Sequence, residues 1–314
     1  MAFTAPKLDR RLGRRLRLRD IQLLAAVVEW GSMARAARHE GLSQPAISEA
    51  IARLEDALGV RLLDRSAHGV EATLYADALL RRARVMLDEL GQGLRDIEFL
   101  AARGSGEVHV GANEFIVGFL SAVIEKMRTG HPGIAVHHVH ALAGNLEFRE
   151  LRNRNVDFML AKMAEPVTDE ALDISHLFDE TLHVVAGAGS AWTRRRKPAL
   201  ADLAGERWIL LPPGSPFRVR IDAAFRAHGL EPPREAIGSF SVHLRNHLVS
   251  TGGYLTVMPA SVHRFNAAPW GLKALPIDLG ITVPTCVVTL RNRTLSPAVE
   301  VFLEHARAVA RSMF

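Results

Sequence analysis

Ser32-Met33-Ala34-Arg35-Ala36-Ala37, then Ser43-Gln44-Pro45-Ala46-Ile47-Ser48, then Leu54-Glu55, all between residues 32 and 65, decide how this chain is read. The pattern predicts two short helices joined by a tight turn. Ser32 follows Gly31 and is placed to cap the first helix by accepting a bond from an unpaired backbone N–H. Ala36 and Ala37 keep that helix thin, so that a partner helix approaches closely. Gly41 suits a turn with positive φ. Ser43 caps the second helix, and Pro45 falls in its first turn, where a missing N–H costs nothing. Ile47, Ile51, Leu54 and Leu58 recur at helical spacing and form one inward stripe. Gly59 is the expected stop. The opposite face carries Pro45, Ser48, Glu49, Ala52, Arg53 and Asp56, with Gln44 at its exposed end. Periodicity alone fits any amphipathic hairpin. The dense Ser-Gln-Pro-Ala run, together with the residues that follow, weighs against a plain hairpin and fits a second helix that projects as one entering a DNA groove must.

The motif extends outward through Val28-Glu29-Trp30-Gly31-Ser32, Ala36-Ala37, Ile51, Leu58-Gly59, Leu62, Arg65 and Thr73. In these residues the chain resembles the LysR-type transcriptional regulators, and order and length fit from about residue 15 onward. The resemblance implies an all-α winged helix-turn-helix N-terminal domain, a long linker helix and a two-lobed α/β domain of the periplasmic-binding-protein type that binds an effector. It also implies a homo-oligomer, a tetramer built as a dimer of dimers. Glu40 departs from the pattern where an apolar residue is usual, Leu63 where Phe is usual, and Glu49 where a basic residue is common. Ala72, Tyr75 and Ala76 replace residues at the start of the linker helix.

The chain has 314 residues, too many for one ordinary core, with 48% hydrophobic and 23% charged residues, the balance of a globular protein. Its one cysteine, Cys286, forms no internal disulfide, which suits a reducing cytosol. No apolar run approaches the ~20 residues that cross a bilayer, and no clear signal-peptide core follows the basic N-terminus, so a cytoplasmic location is expected. The net charge of +5 is concentrated at the front: Lys7, Arg10, Arg11, Arg14, Arg15, Arg17 and Arg19 face Asp9 alone. In the arm, residues 1–14, and just beyond it, a solvated tail is the favoured reading for residues 1–9, while a phosphate-binding arm and a tail fit Arg10 to Arg19 equally.

Residues 15–72 are expected to form the DNA-binding domain, its wing turning at Ser66-Ala67-His68-Gly69, and 73–103 the linker helix. In that helix Leu79, Ala83, Met86, Leu90, Leu94, Ile97 and Leu100 approach the heptad spacing that pairs two copies. Gly104-Ser105-Gly106 marks a hinge. Beyond it strand and helix patterns alternate, which predicts mostly parallel sheets covered by helices. By the resemblance, lobe one takes 104–181 and 280–314, and lobe two takes 182–279.

For DNA, Gln44, Ser48, Glu49 and Arg53 are expected to face the groove, with Ser32, Arg35, Ser43 and Pro45 at the helix starts and Arg65 and His68 in the wing. Gln44 suits adenine, and Arg53 suits guanine or a phosphate. Glu49 either accepts from a cytosine amine or pairs with Arg53 one turn on. For the effector, Pro212-Pro213-Gly214-Ser215-Pro216-Phe217-Arg218 follows a strand and opens a helix. There Ser215 and Arg218 suit an anion, and Phe217 suits a flat ring. Asn113 and Glu114, Gly144 and Asn145, and His243 occupy comparable strand ends. The Trp208–Arg218 segment looks like that of a subgroup sensing sugars or aromatic-acid catabolites. A small aromatic or hydroxy carboxylate ranks ahead of a sugar.

No Gly-x-Ser-x-Gly elbow, Walker loop or His-Glu-x-x-His helix is present, so an enzyme is not expected. Nor is a cofactor or metal: of His137, His138 and His140 only the last two share a strand face. Double-stranded promoter DNA and a small molecule are the expected partners, RNA polymerase is a further candidate, and a membrane is not. The alternative is a solute-binding module with a helical oligomerisation segment and no specific DNA binding.

Overall fold

The computed structural model of the protein describes residues 15–66, 69–102, 104–141 and 148–313. The basic arm of residues 1–14, His68, Gly144 and Asn145 lie outside the described residues. The chain divides into two compact units, Met1–Gly91 and Gln92–Phe314.

In the first unit α1 (Leu18–Trp30), α2 (Met33–His39) and α3 (Gln44–Leu58) are followed by a two-stranded wing, β1 (Leu63–Ser66) paired antiparallel with β2 (Gly69–Ala72). The caps fall where the small hydroxyls predict them. Ser32 Oγ accepts from Arg35 N at 3.5 Å and Ser43 Oγ from Ala46 N at 3.4 Å. Gly31 and Gly59 close α1 and α3 in the left-handed region. Leu24, Val27, Ala36, Ile47, Ile51, Leu54 and Leu62 are fully buried together. Each large aliphatic among them contributes ~1.5–3 kcal/mol by leaving water. Two contacts seat the wing. Val70 N donates to Gly31 O, and Gly69 packs so close to that carbonyl that an added Cβ would lie 2.8 Å from it. The long helix α4 (Leu74–Ala101) crosses the boundary between the units.

The second unit is built on one mixed sheet of eight strands in the order β4-β3-β5-β10-β6-β9-β7-β8. Lobe one holds β3 (Gly106–Ala112), α5 (Val117–Gly130), β4 (Ile134–His140), the short α6 (Arg149–Arg152), β5 (Phe158–Lys162) and α10 (Pro297–Met313). Lobe two holds β7 (Trp208–Leu210), α7 (Pro216–Ala227), β8 (Glu235–Gly238), α8 (Val242–Ser250), β9 (Leu255–Pro259) and α9 (Ala260–Trp270). Two long strands run through both lobes, β6 (Leu172–Gly187) and β10 (Leu272–Leu290).

The expectation of mostly parallel sheets is corrected here. Pairing is parallel toward the two edges, β3 with β4 and β5, β7 with β8 and β9. It is antiparallel at the centre, β10 with β5 and β6, and β6 with β9. Phe119, Phe158 and Phe302 centre the core of lobe one, and Trp208 and Phe225 that of lobe two. Trp208 satisfies its buried indole N–H on Leu203 O at 3.1 Å.

Candidate DNA-reading helix and candidate effector cleft

The turn between α2 and α3 leaves the start of α3 in solvent. Gln44, Pro45 and Glu49 are exposed and Ser48 is half-buried, while Ile47, Ala50, Ile51 and Leu54 are buried beneath them. Gln44 and Ser48 stand one turn apart on the same free face. Arg35 is exposed on α2, and Ser32 and Ser43 serve as caps. Arg65 lies in β1 opposite Val70. At the far end of α3, Glu55 Oε1 accepts from Leu62 N at 2.7 Å and Leu63 N at 3.3 Å, locking the helix to the wing.

Arg53 does not reach freely toward a groove, contrary to the sequence expectation. Its guanidinium donates to Asp20 Oδ1 at 3.0 Å and to Glu49 Oε1 at 2.8 Å. Asp20 is buried in α1, and its hydrogen bonds to Arg53 hold the guanidinium pKa above the ordinary value. Of the two readings of Glu49, the ion pair with Arg53 is the one observed. Asp20 could not be foreseen, because nothing in its local pattern marks it as buried.

Between the lobes of the second unit lies a cleft of about 720 Å³, within the range of small-molecule sites. Asn113, Phe115 and the loop after β5 line one side, and Leu211 through Phe217 line the other. The proline-rich turn takes this shape for local reasons. Pro212 and Pro213 carry no N–H and so end the pairing of β7, Gly214 turns with φ of +77°, and Pro216 starts α7. At the rim Arg152 pairs with Asp169, whose pKa is held down first by the backbone N–H of Ala171 and then by that guanidinium.

Several expected ligand contacts are corrected. Arg218 is buried in an ion pair with Asp222 at 2.7 Å and another with Glu235 at 2.9 Å, and it donates to Leu211 O and Pro233 O. Burial works against its charge, but those two carboxylates more than offset it and raise its pKa. Ser215 lines the cleft, but its hydroxyl donates back to Pro212 O at 2.8 Å. Glu114 turns away from the cleft and accepts from Val242 N, tying lobe one to the start of α8. His243 packs edge-on against Trp270, 5.0 Å between ring centroids, and does not line the cleft. Phe217 and Asn113 do line it, although Asn113 Oδ1 is occupied by Phe115 N at 3.0 Å.

Two cations missed by the sequence reading stand deep between the lobes. Lys162 ends β5, is buried against Glu180 and Thr285, and lines the cleft. Burial pushes its pKa down against the pull of Glu180. Its only signal in the sequence is a lone lysine closing the apolar run Phe158–Ala161. Arg245 on α8 is the other, and its pattern carries no signal at all. On the outer strands Glu107, His109 and His137 bring potential metal-ligating atoms within 4.8 Å of one another. His138 instead bonds Ala112 O at 3.1 Å.

Residues 18–77 match the family described as bacterial regulatory helix-turn-helix protein, lysR family, and residues 101–311 match the LysR substrate binding domain. The HTH-type transcriptional regulator GbpR of Azospirillum brasilense is 31% identical, covering 94% of this chain and 87% of that protein. TfdS of Cupriavidus pinatubonensis is 30% identical over 93% of this chain and 98% of its own. Among solved structures, CbnR, a LysR family transcriptional regulator, is 25% identical with a TM-score of 0.64, covering 94% of this chain and 99% of its own. CbnR has also been solved with its target DNA. These likenesses set aside the solute-binding module without specific DNA binding. Matched at both its helix-turn-helix and its C-terminal domain, the chain belongs to the LysR family of DNA-binding transcription regulators that carry an effector-binding domain.

Proposed function

We propose that α3 reads promoter DNA through the face bearing Gln44 and Ser48, and that a small metabolite in the interlobe cleft sets how the regulator engages that DNA. The observation that carries the reading is the exposed start of α3 above a fully buried inner stripe. Gln44 serves a base edge; Ser32, Ser43 and Arg35 serve the phosphate backbone nearby. The exposed apolar row of Met86, Leu90, Leu94, Ile97 and Leu100 on α4 supports pairing with a second copy, and two such dimers make the tetramer. The protein acts without catalysis, in the cytosol.

Gel shift with the intergenic DNA upstream of its own coding sequence tests this reading. Specific duplex is expected to outcompete a scrambled one at physiological salt, and Gln44→Ala to lose ~1–3 kcal/mol of discrimination at an adenine while retaining nonspecific affinity. Equal competition by the scrambled duplex overturns it.

A further inference from the structure

Arg245 is a fully buried guanidinium that touches no carboxylate among the described residues. Its Nη2 donates to Thr256 Oγ1 at 2.7 Å and to Val257 O, and its Nε donates to the same hydroxyl at 3.2 Å. Both acceptors are neutral, and the Thr256 hydroxyl in turn donates to Ile209 O at 2.7 Å. Nη1 has no partner among the described residues. The guanidinium carbon stands 5.5 Å from the centroid of the Phe115 ring, which lines the cleft.

This side chain forms part of the wall of a small inner chamber of about 20 Å³, room for one small polar group. The chamber shares Phe115, Lys162, Leu211 and Phe217 with the main cleft, so it is the cleft's inner end. Its remaining walls are apolar, with Leu182, Ile221 and Val257 among them. Lys162 brings a second cation, but Glu180 already neutralises it. Among the described residues one positive charge without a carboxylate partner therefore remains, in the wall of a mostly apolar pocket. Such a charge is costly unless paired, and burial alone pushes the Arg245 pKa down to about 10.

We propose that Arg245 is the anion-recognition residue of the effector cleft, and that the effector is a small, otherwise uncharged and largely apolar carboxylate whose acid group enters the inner chamber to bond Nη1. The proposal rests on the cleft being the effector site. It moves the anion contact from Arg218, which Asp222 and Glu235 already neutralise, to a buried cation in the chamber wall whose Nη1 has no partner among the described residues. The apolar walls accept the body of the ligand, and Lys162 lies within the same chamber as a second donor.

The test uses the full chain and its thermal unfolding at constant ionic strength, with formate, acetate and benzoate as probes, chloride as the inorganic control, and formamide, acetamide and benzamide as neutral controls. The carboxylates are expected to raise Tm above chloride by selective binding to the folded state, and the amides are not. Arg245→Met removes an unpaired buried charge, so it is expected to fold with equal or higher Tm and to bind carboxylates on the order of tenfold or more weakly. Arg245→Lys should recover part of the response. The proposal is overturned if chloride or the amides match the carboxylates, if no carboxylate raises Tm, or if Arg245→Met responds as the wild type does. The wild-type comparison decides the matter even if a variant fails to fold. Gel shift on the same preparations separates the two readings. Loss of specific DNA binding by the wild type sinks the regulator reading, whereas intact DNA binding without a carboxylate response sinks this one alone.

Discussion

Arg218 shows how a side chain of ligand-binding type becomes structural. Its pair with Glu235 joins the first turn of α7 to strand β8, and its pair with Asp222 lies one turn further along α7. Arg218→Gln would leave both acids beside an uncharged amide, and is expected to lower the stability of the protein by on the order of 3 kcal/mol in denaturant unfolding. The pH dependence has a definite sign. Burial alone would raise the Glu235 pKa, but its own backbone N–H and Arg218 hold it below the ordinary glutamate value. Its contribution is therefore present above that ordinary value and fades as pH falls through the lower, folded one. The wild-type advantage over Arg218→Gln should narrow in acid; an advantage that widens there would contradict the assignment. Arg53 is likewise held by two carboxylates, Asp20 and Glu49. Both arginines looked ligand-facing in sequence because spacing reveals neighbours one turn away and hides partners such as Asp20 or Glu235, which only the fold brings near. The caps at Ser32 and Ser43 were legible because their chemistry is local.

Among the elements, α3 and its buried stripe follow directly from four apolar residues at helical spacing. The long strands were harder. Leu182–Ala186 and Val283–Leu290 read as strands because they are apolar runs, but β6 begins at Leu172 and β10 at Leu272. Pro276, Asp278 and Gly280 in the first half of β10 resemble a loop, and the sheet accommodates them through register shifts between Ala274 and Asp278 and between Asp278 and Thr282. Helix α9 was hidden by Pro269 within its last turn. The outer row of α4 supports a prediction at this scale: Leu94→Asp, placed where the side chain is more than half exposed, is expected to lower the oligomeric state in sedimentation while leaving the unfolding temperature of each domain nearly unchanged. An unchanged mass would remove α4 from the assembly.

In the second unit taken whole, the lobes meet through named contacts as well as through shared strands. Glu114 in lobe one accepts from Val242 N in lobe two, and Gly118 on α5 lies so close to Phe265 on α9 that an added Cβ would approach it to 2.3 Å. Glu114→Ala removes the first clasp. It is expected to change the ligand response measured by thermal shift or gel shift while leaving ligand-free DNA affinity near wild type; a variant with an unaltered response would show that the clasp does not gate the cleft. The passage of β6 and β10 between the lobes has a mechanical consequence. They cross side by side and hydrogen-bonded, Thr181 opposite Thr282 and Asp179 opposite Pro284, with the buried Lys162–Glu180 pair at that waist. A crossing this narrow concentrates any motion of one lobe against the other in the backbone of two strands. Any message from the ligand that passes from one lobe to the other should therefore strain this strap first.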